Sequence, residues 1–324
     1  MLNINFKNVY INDYSSIVGQ NEKKGNISKY DKCVTDYYYG EKSFELAQIK
    51  MQADVINNLL YKNKLIDQNI DLIIGGDLLN QIAGTTYGIK RFNTSFLGVY
   101  SACSSFIESL IIGSEFLNND NVNKVICTTS CHNLSSERQF RYPVEYGALR
   151  NVNSTFTSTG SVACLLSNKK SNIKIKSATI GNIFDYEIND PNMIGAIMAP
   201  AAAEVIIEHL RYFNLDSNYY DVILTGDLGN VGLNILKDYL FEDYHIKFKN
   251  VIDAGSKLFN ELSDINDGAS GPLVLPLYFF NNIINKNKYK KILLVGTGSL
   301  HSATLVNQKQ TIPSISHAIS LEVI

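Results

Sequence analysis

Short apolar runs alternate along the chain with longer amphipathic stretches. From Phe44 to Tyr61 and from Ala201 to Phe213, apolar residues recur at helical spacing. Pro200 suits the first turn of the second helix, where a missing N–H does no harm. This alternation predicts an α/β fold with a buried parallel sheet. The apolar runs, which have the length of strands, are DLIIG at 71, KVICTT at 124, DVILTG at 221 and KILLVG at 291.

Two segments show neither the spacing of a helix nor an apolar run of strand length, and they are predicted as loops. They are the residues before Thr35 and the stretch from Ser130 to Thr159, the second of which is unusually long. Long loops in compact domains often carry function. The second segment is therefore a candidate for part of a site.

An internal duplication divides the chain into two halves. The segment DLIIGGDLLN at 71 returns as DVILTGDLGN at 221, and the helical stretches upstream of both align at the same spacing. We therefore expect two halves of one topology, with the first spanning residues 1–170 and the second residues 171–324.

Two pairs of residues correspond between the halves. Cys103, within Ala-Cys-Ser, aligns with Ser270, within Ala-Ser-Gly. Asp77 and Asp227 each follow an apolar strand and a glycine. Because Asp is a preferred capping residue, we expect both carboxylates to cap equivalent turns.

Composition narrows the class of protein. The 324 residues include 29 Lys and Arg against 31 Asp and Glu, a formal net charge of −2, which gives no electrostatic case for a nucleic-acid partner. No run of 18 apolar residues is present, and the first residues lack a basic stretch followed by an apolar core. We therefore expect neither a transmembrane helix nor a signal peptide.

The five cysteines are scattered, and their odd number favours reduced thiols over a disulfide framework. Cys127 and Cys131 lie four residues apart with His132 adjacent, but no second pair of ligands stands at suitable spacing. The glycine-rich GTGSLHS at 296 does not match a dinucleotide-binding fingerprint. Neither a metal nor another cofactor is expected.

Cys103 is the leading candidate for chemistry. It lies between the strand-like FLGVYSA and the predicted helix SSFIESLIIGSEFL. A thiol at a helix N-terminus faces unpaired N–H groups, so we expect a pKa below about 8.5. The same N–H groups suit an anionic ligand. The alternative is a buried, inert cysteine.

Several local phrases resemble the family of stage V sporulation protein AD, over nearly the whole chain from about Tyr10 onward. The resemblance implies a thiolase-like α/β fold of five layers, αβαβα, in which two mixed sheets enclose a central pair of helices. The phrases are GDLLNQ at 76, SACSS at 101, CHNLSSERQFRYPVEYG at 131, APAAA at 199, TGDL at 225, ILKD at 235 and QKQTIP at 308.

This resemblance also implies a function. Members of the family are implicated in taking dipicolinic acid into the developing spore, together with membrane-bound SpoVA proteins. We therefore expect a protein that binds dipicolinic acid or its calcium chelate. It would be made in the forespore and associate peripherally with the inner spore membrane.

Dipicolinate is a flat pyridine ring with two carboxylates, which an Arg fork and an aromatic face would suit. The segment ERQFRY at 137 contains both kinds of group. His132 is the preferred titrating residue. The alternative role for the arginines is an internal ion pair with Glu137 or Glu145. The ligand-binding residues expected are Cys103, His132, Arg138, Arg141 and Tyr142.

A thiolase-type condensing enzyme also needs a His, or a His and an Asn, from the second half. The corresponding stretches, TGDL at 225 and DGASG at 267, contain no His. His209 and His245 are expected on the surface or on helix faces, and His301 and His317 near the Cys103 pocket. We therefore expect a binding protein and not an enzyme. A thiolase-like acyltransferase using Cys103 and a scaffold with a vestigial pocket remain the alternatives.

Thiolase-like proteins usually dimerise through a strand of the first half, next to the nucleophile turn. The corresponding strand here is FLGVYS at 96. By this resemblance we expect a homodimer.

Overall fold

The computed structural model describes residues 1–118, 121–140, 154–259, 265 and 267–324. Within these ranges the chain forms a mixed α/β fold. Its strands are β1 (Leu2–Val18), β2 (Lys32–Cys33), β3 (Leu72–Asp77), β4 (Ser95–Gly98), β5 (Lys124–Cys131), β6 (Phe156–Thr157), β7 (Gly160–Ser167), β8 (Ile173–Phe184), β9 (Val222–Thr225), β10 (Val251–Asp253), β11 (Ala269–Ser270), β12 (Lys291–Ser299) and β13 (Ser314–Val323).

The helices vary from one turn to more than five turns. A π-helical segment, Phe279–Ile284, directly continues α9. The helices are α1 (Gln20–Lys23), α2 (Phe44–Lys62), α3 (Ala83–Ile89), α4 (Ser105–Phe116), α5 (Asn133–Phe140), α6 (Ile194–Tyr212), α7 (Gly229–Tyr244), α8 (Ala254–Leu258), α9 (Val274–Tyr278) and α10 (Ala303–Asn307).

One hydrogen-bonded sheet runs through the described chain in the order β10-β9-β12-β13-β8-β1-β7-β5-β3-β4, with β2 beside β1. The order is symmetric about the β8–β1 pair. β9 pairs with β12 in parallel, as β3 does with β5, and β12 pairs with β13 antiparallel, as β5 does with β7. Each half of the sheet therefore has the same topology, which agrees with the repeated sequence segments.

Helices form three layers around the two halves of the sheet. α2 and α3 cover the first half, whereas α6 and α7 cover the second. α4 lies between the halves, because it contacts β3 and β5 on one side and β12 and β13 on the other. The π-helical segment joins the same central core, where the rings of Phe106 and Phe280 meet edge to face. The result is the five-layer α/β arrangement that the resemblance implies.

The expectation of a loop before Thr35 is wrong for the residues of β1. Its first part pairs with β8 and its last part with β7, so this one strand joins the two expected sheets into a single sheet. Register shifts occur between Asn5 and Val9 and between Ile11 and Asp13. Such bulges interrupt the period-two pattern, which explains why the sequence did not predict a strand.

α6 begins at Ile194 and not near Pro200, which lies inside the helix. The residues between them are mostly buried, and burial of this apolar face extends the helix past the proline. Gly195 allows α7 to approach closely, because a Cβ there would lie 2.3 Å from the Leu228 carbonyl oxygen. The predicted loop from Ser130 to Thr159 contains α5 and β6, and its residues 141–153 lie outside the described ranges.

Candidate functional site

A tight turn carries Cys103 from the end of the β4 region into α4. Ala102 has a φ of 51°, which is unfavourable for a residue with a Cβ. Ser105 stabilises the turn, because its Oγ donates to the Ala102 carbonyl at 2.7 Å and accepts from the Ser101 N–H at 3.0 Å. Gly298 gives the turn room, since a Cβ there would lie 2.3 Å from the Ser101 carbonyl oxygen.

The half-buried side chain of Cys103 faces an acid. The carboxylate of Asp227 lies close to its thiol, and Cys131 is also nearby. Burial raises the pKa of Cys103 well above its usual value, and the negative charge of Asp227 raises it further. The expectation of a lowered pKa is therefore wrong, because these two effects outweigh the N–H groups at the start of α4.

Asp227 is 1% exposed and accepts several hydrogen bonds. Oδ1 accepts from Thr297 Oγ1 at 2.8 Å, and Oδ2 accepts from the Gly271 N–H at 2.9 Å. Burial raises the pKa of Asp227 to about 6, although these donors oppose the shift. Asp227 therefore belongs to the surroundings of the thiol.

The two corresponding aspartates thus have different roles. Asp77 accepts from the N–H groups of Leu79 and Thr85, as expected of a residue that caps a turn. At the equivalent turn of the second half, Asp253 accepts from the N–H groups of Leu228 and Gly229. The prediction that Asp227 caps this turn is wrong, because Asp253 already satisfies its donors.

Two adjoining spaces share four lining residues, and the smaller of them, the inner cavity, is also lined by Cys103. The inner cavity has a volume of about 60 Å³, and the outer vestibule has about 550 Å³. Leu78, Tyr100, Phe140 and His301 line both, so they form the passage from one to the other. The inner cavity has room for about two waters, whereas the vestibule has the size of a small-molecule site. The other residues around the inner cavity are Ala102, Cys103, Ser136, Glu137, Thr157, Pro191, Ile194, Ser270 and Ser299.

The lining of these spaces is aromatic and mildly acidic. The rings of Phe140 and His301 lie 5.3 Å apart, and Tyr100 is 46% exposed. Glu137 is buried, and its Oε1 accepts from Thr157 Oγ1 at 3.2 Å. Among the described lining residues there is no Lys or Arg. The described ranges also contain no cluster of three or more His, Cys, Asp or Glu able to hold a metal ion.

Gln139 attaches α5 to the wall of the vestibule. Its Nε2 donates to the Leu78 carbonyl at 2.7 Å, and its Oε1 accepts from the Asn80 N–H at 3.1 Å. Gln81 and Ile82, which follow in this wall, have φ angles of 61° and 49°. The ends of β3 and of α5 are therefore held together where the vestibule begins.

The structure does not group His132 or Arg138 with Cys103. The ring of His132 stacks on Phe44 at 5.3 Å, and its Nε2 lies 2.8 Å from the Tyr37 carbonyl oxygen. Burial lowers the pKa of His132 to about 4. Arg138 forms an ion pair with Glu45 at 3.5 Å, on the side of α5 that faces α2. Neither residue lines the inner cavity or the vestibule.

The remaining residues expected at or near the site, and the other histidines, lie in different parts of the chain. Arg141 and Tyr142 lie outside the described residues. His301 lines both spaces, as expected for the C-terminal region. His317 is buried on β13, and its Nδ1 accepts from the Gly181 N–H at 3.2 Å. His209 lies on the buried face of α6, 2.8 Å from both Thr179 Oγ1 and Tyr220 Oη.

Sequence reasoning missed the contacts that close the inner cavity. The duplication contained a signal for one of them, because Cys103 and its counterpart Ser270 both line this space. The β11–β6 pairing brings Ser270 beside Thr157, although the two are distant in sequence. Pairing between such short strands has no local sequence pattern, so Thr157 could not be assigned to the site.

A family model for stage V sporulation protein AD matches residues 3–322. The chain belongs to this family. Stage V sporulation protein AD of Bacillus subtilis (strain 168) is 36% identical over 318 residues, covering 97% of this chain and 94% of the relative. The resemblance inferred from the local phrases is thereby confirmed. Membership of the stage V sporulation protein AD family makes this a sporulation protein.

Solved structures establish the fold of this family member. A 3-oxoacyl-acyl-carrier-protein synthase III from Aquifex aeolicus VF5 has a TM-score of 0.57 at 15% identity, covering 97% of this chain and 99% of that one. Cerulenin-bound OleA from Xanthomonas campestris has a TM-score of 0.60 at 13% identity, covering 98% and 100%. The thiolase-like fold is confirmed, and at these identities the likeness extends to the fold alone.

Proposed function

We propose that this protein binds dipicolinic acid, or its calcium chelate, for uptake into the developing spore. The proposal rests on family membership together with one observation of the site. Cys103 has the position of a thiolase-type nucleophile, but burial and the nearby carboxylate of Asp227 raise the pKa of its thiol well above the usual value. A site of this kind retains a pocket and disfavours the thiolate that acyl transfer requires.

The shape of the vestibule supports a flat aromatic ligand. Its volume of about 550 Å³ lies within the range of small-molecule sites. Tyr100, Phe140 and His301 present rings at the passage to the inner cavity, and a pyridine ring can pack against such faces. We propose that the ring lies between these side chains and that one edge of the ligand points toward Cys103.

The charge of the lining supports the calcium chelate as a ligand form. In the chelate, calcium neutralises both carboxylates, so the ligand enters an acidic site without a net charge. The free dianion approaches Asp227 and Glu137 with like charge, which is unfavourable at low dielectric. Both forms are therefore part of the proposal, and their comparison is informative.

Acyl transfer by Cys103 is the second candidate. One observation favours it: the positive φ of Ala102 presents the cysteine at the start of α4, as a nucleophile would be presented. The opposing observation is the raised pKa of Cys103, caused by burial and by Asp227. Loss of even one oxyanion stabiliser typically costs about 10²–10³ in rate, so we propose no turnover at this site.

Titration calorimetry tests the proposal directly. We expect saturable binding of dipicolinate, with and without calcium, and none of acetyl-CoA or malonyl-CoA. Phe140→Ala is expected to weaken binding at least tenfold, whereas Tyr61→Ala, which changes an 84% exposed ring on α2, leaves it unchanged. Absence of binding to the folded wild-type protein contradicts the proposal. A stoichiometric acyl adduct on Cys103 that turns over would favour the enzyme instead.

We also propose that the protein works in the spore beside membrane-bound SpoVA proteins, associated peripherally with the inner spore membrane. Within the described residues, no helix combines the length and apolar character needed to cross a bilayer. Attachment through protein partners is consistent with that finding, and the family membership supports it.

A further inference from the structure

The titratable groups that face Asp227 are all acids. From the turn before α4 comes Cys103, from β5 comes Cys131, and from the start of α8 comes Asp253. The remaining contacts are the neutral donors Thr297 Oγ1 and the Gly271 N–H. Among the described residues no Lys, Arg or His compensates this carboxylate.

Asp227 also lies close to the inner cavity. Cys103 and Ser270 line that cavity, and the N–H of Gly271, the residue after Ser270, donates to Asp227 Oδ2 at 2.9 Å, so the carboxylate lies one residue behind the cavity wall. A negative charge placed in the cavity acts on Asp227 through a medium of low dielectric. Because like charges at close range favour the protonated form of one of them, such a ligand promotes protonation of Asp227.

We propose that Asp227 takes up one proton from solvent when the site receives a dianionic aromatic dicarboxylate, and that a neutral calcium chelate binds with little proton uptake. This inference rests on the proposed function. Asp227 is thereby a positioning residue that adapts the site to the charge of the ligand, acting through Cys103.

Proton uptake would also change the hydrogen bonds of the site. With Asp227 ionised, the Cys103 thiol can donate only to the facing carboxylate. With Asp227 protonated, the carboxyl O–H can donate to Cys103 Sγ, which frees the S–H to donate to a carboxylate of the ligand. The proton comes from solvent and no covalent bond is formed, so the step balances without another reactant.

The expected pH dependence follows from linkage. Burial holds the pKa of Asp227 at about 6 in the free protein, so the carboxylate is mostly ionised at pH 7. Binding that takes up one proton weakens by up to about tenfold for each unit of pH rise above that value, until the pKa of the complex is passed. Binding of the chelate should change much less across the same range.

Calorimetry in two buffers of different ionisation enthalpy counts the protons. At pH 7 the wild-type protein is expected to take up between half a proton and one proton with dipicolinate, and much less with its calcium chelate. Asp227→Asn should bind dipicolinate without proton uptake and with little change between pH 6 and 8. Asp238→Asn, which changes an exposed carboxyl on α7, should behave like the wild type.

Three outcomes overturn the inference. Dipicolinate binding without proton uptake overturns it and leaves the proposed function standing. Uptake that persists in Asp227→Asn assigns the proton to the ligand or to another group. Failure of the folded wild type to bind either form at any pH overturns the proposed function, and this inference with it.

A second variant covers the case in which Asp227→Asn does not fold, as judged by thermal melting. Thr297→Val removes the hydroxyl that donates to Asp227 Oδ1 at 2.8 Å. Loss of this donor should raise the pKa of Asp227 and move the pH dependence of binding upward. An unchanged pH profile in the folded Thr297→Val protein also overturns the inference.

Discussion

Burial and the nearby charge of Asp227 together set the reactivity of Cys103. Thiolate is the reactive form of cysteine, and burial together with the Asp227 charge raises the pKa of this thiol. Alkylation of native Cys103 by iodoacetamide at pH 8 should therefore be at least tenfold slower than that of an unfolded thiol. Asp227→Asn should speed the reaction, whereas Asp238→Asn should not. Peptide-resolved mass spectrometry measures each site, and rapid wild-type alkylation contradicts the assignment.

Glu22 couples stability to pH at a position away from the ligand spaces. It is buried, its Oε1 accepts from the Thr159 N–H at 3.0 Å, and burial raises its pKa to about 7. Since an unfolded Glu has a pKa of about 4.3, the folded state binds this proton more tightly. The resulting stabilisation is complete below about pH 4.3 and is lost as the pH rises through 7.

Glu22→Gln should remove this part of the pH dependence. Relative to the variant, the wild type is expected to lose roughly 2–3 kcal/mol of unfolding free energy as the pH rises from 5 to 8. Denaturant titrations at several pH values provide the measurement. Glu242→Gln, at an exposed position on α7, is the control and should show a constant difference. A constant difference for Glu22→Gln as well would contradict the assigned pKa.

At the scale of elements, β12 supports the Cys103 turn from behind. Gly298→Ala places a Cβ 2.3 Å from the Ser101 carbonyl oxygen, so the turn or the strand must move. Such overpacking typically costs about 1–3 kcal/mol. We expect a lower melting temperature together with weaker dipicolinate binding. Ser299→Ala, on the same strand, removes a small hydroxyl and should have little effect on stability. Equal stability of both variants would show that the turn does not depend on this contact.

The sequence predicted the elements that have a regular local pattern. It did not predict those that depend on pairing between distant strands. α2 begins at Phe44 as expected, because a regular apolar face and an N-terminal Ser43 that caps Leu46 N–H define it. β1 was missed, since its bulges disturb the alternation. At the site, position in the duplication identified Cys103, but the acid that faces it comes from the other half. Charge attraction to a dicarboxylate suggested Arg138, which instead pairs with Glu45.

At the scale of the whole molecule, no helix among the described residues could cross a bilayer. We have proposed that the protein attaches to the inner spore membrane through protein partners. We therefore expect the purified protein to remain in the supernatant when vesicles, with or without anionic lipid, are sedimented. Its recovery with vesicles that contain SpoVA membrane proteins is the matching positive result. Strong binding to protein-free vesicles would contradict attachment through partners.

The edge strand β4 is the contact through which we expect a homodimer to form. β4 pairs with β3 on one side, its four residues are exposed, and Phe96 and Leu97 are 36% and 37% exposed. Among the described strands, none pairs with the other side of β4. Such an apolar edge favours addition of a second strand, and a second β4 would supply it. Sedimentation at micromolar concentration should give twice the chain mass of 36.2 kDa.

Leu97→Asp should shift this protein to monomer, because a charge in the joined edge is costly, whereas Tyr61→Asp on α2 should leave the dimer intact. Gly98 and Tyr100, which follow directly along the chain, line the vestibule. Loss of the dimer is therefore expected to weaken dipicolinate binding as well, even though Leu97 itself lines neither space. A wild-type protein that sediments as a monomer would exclude this edge as a dimer contact.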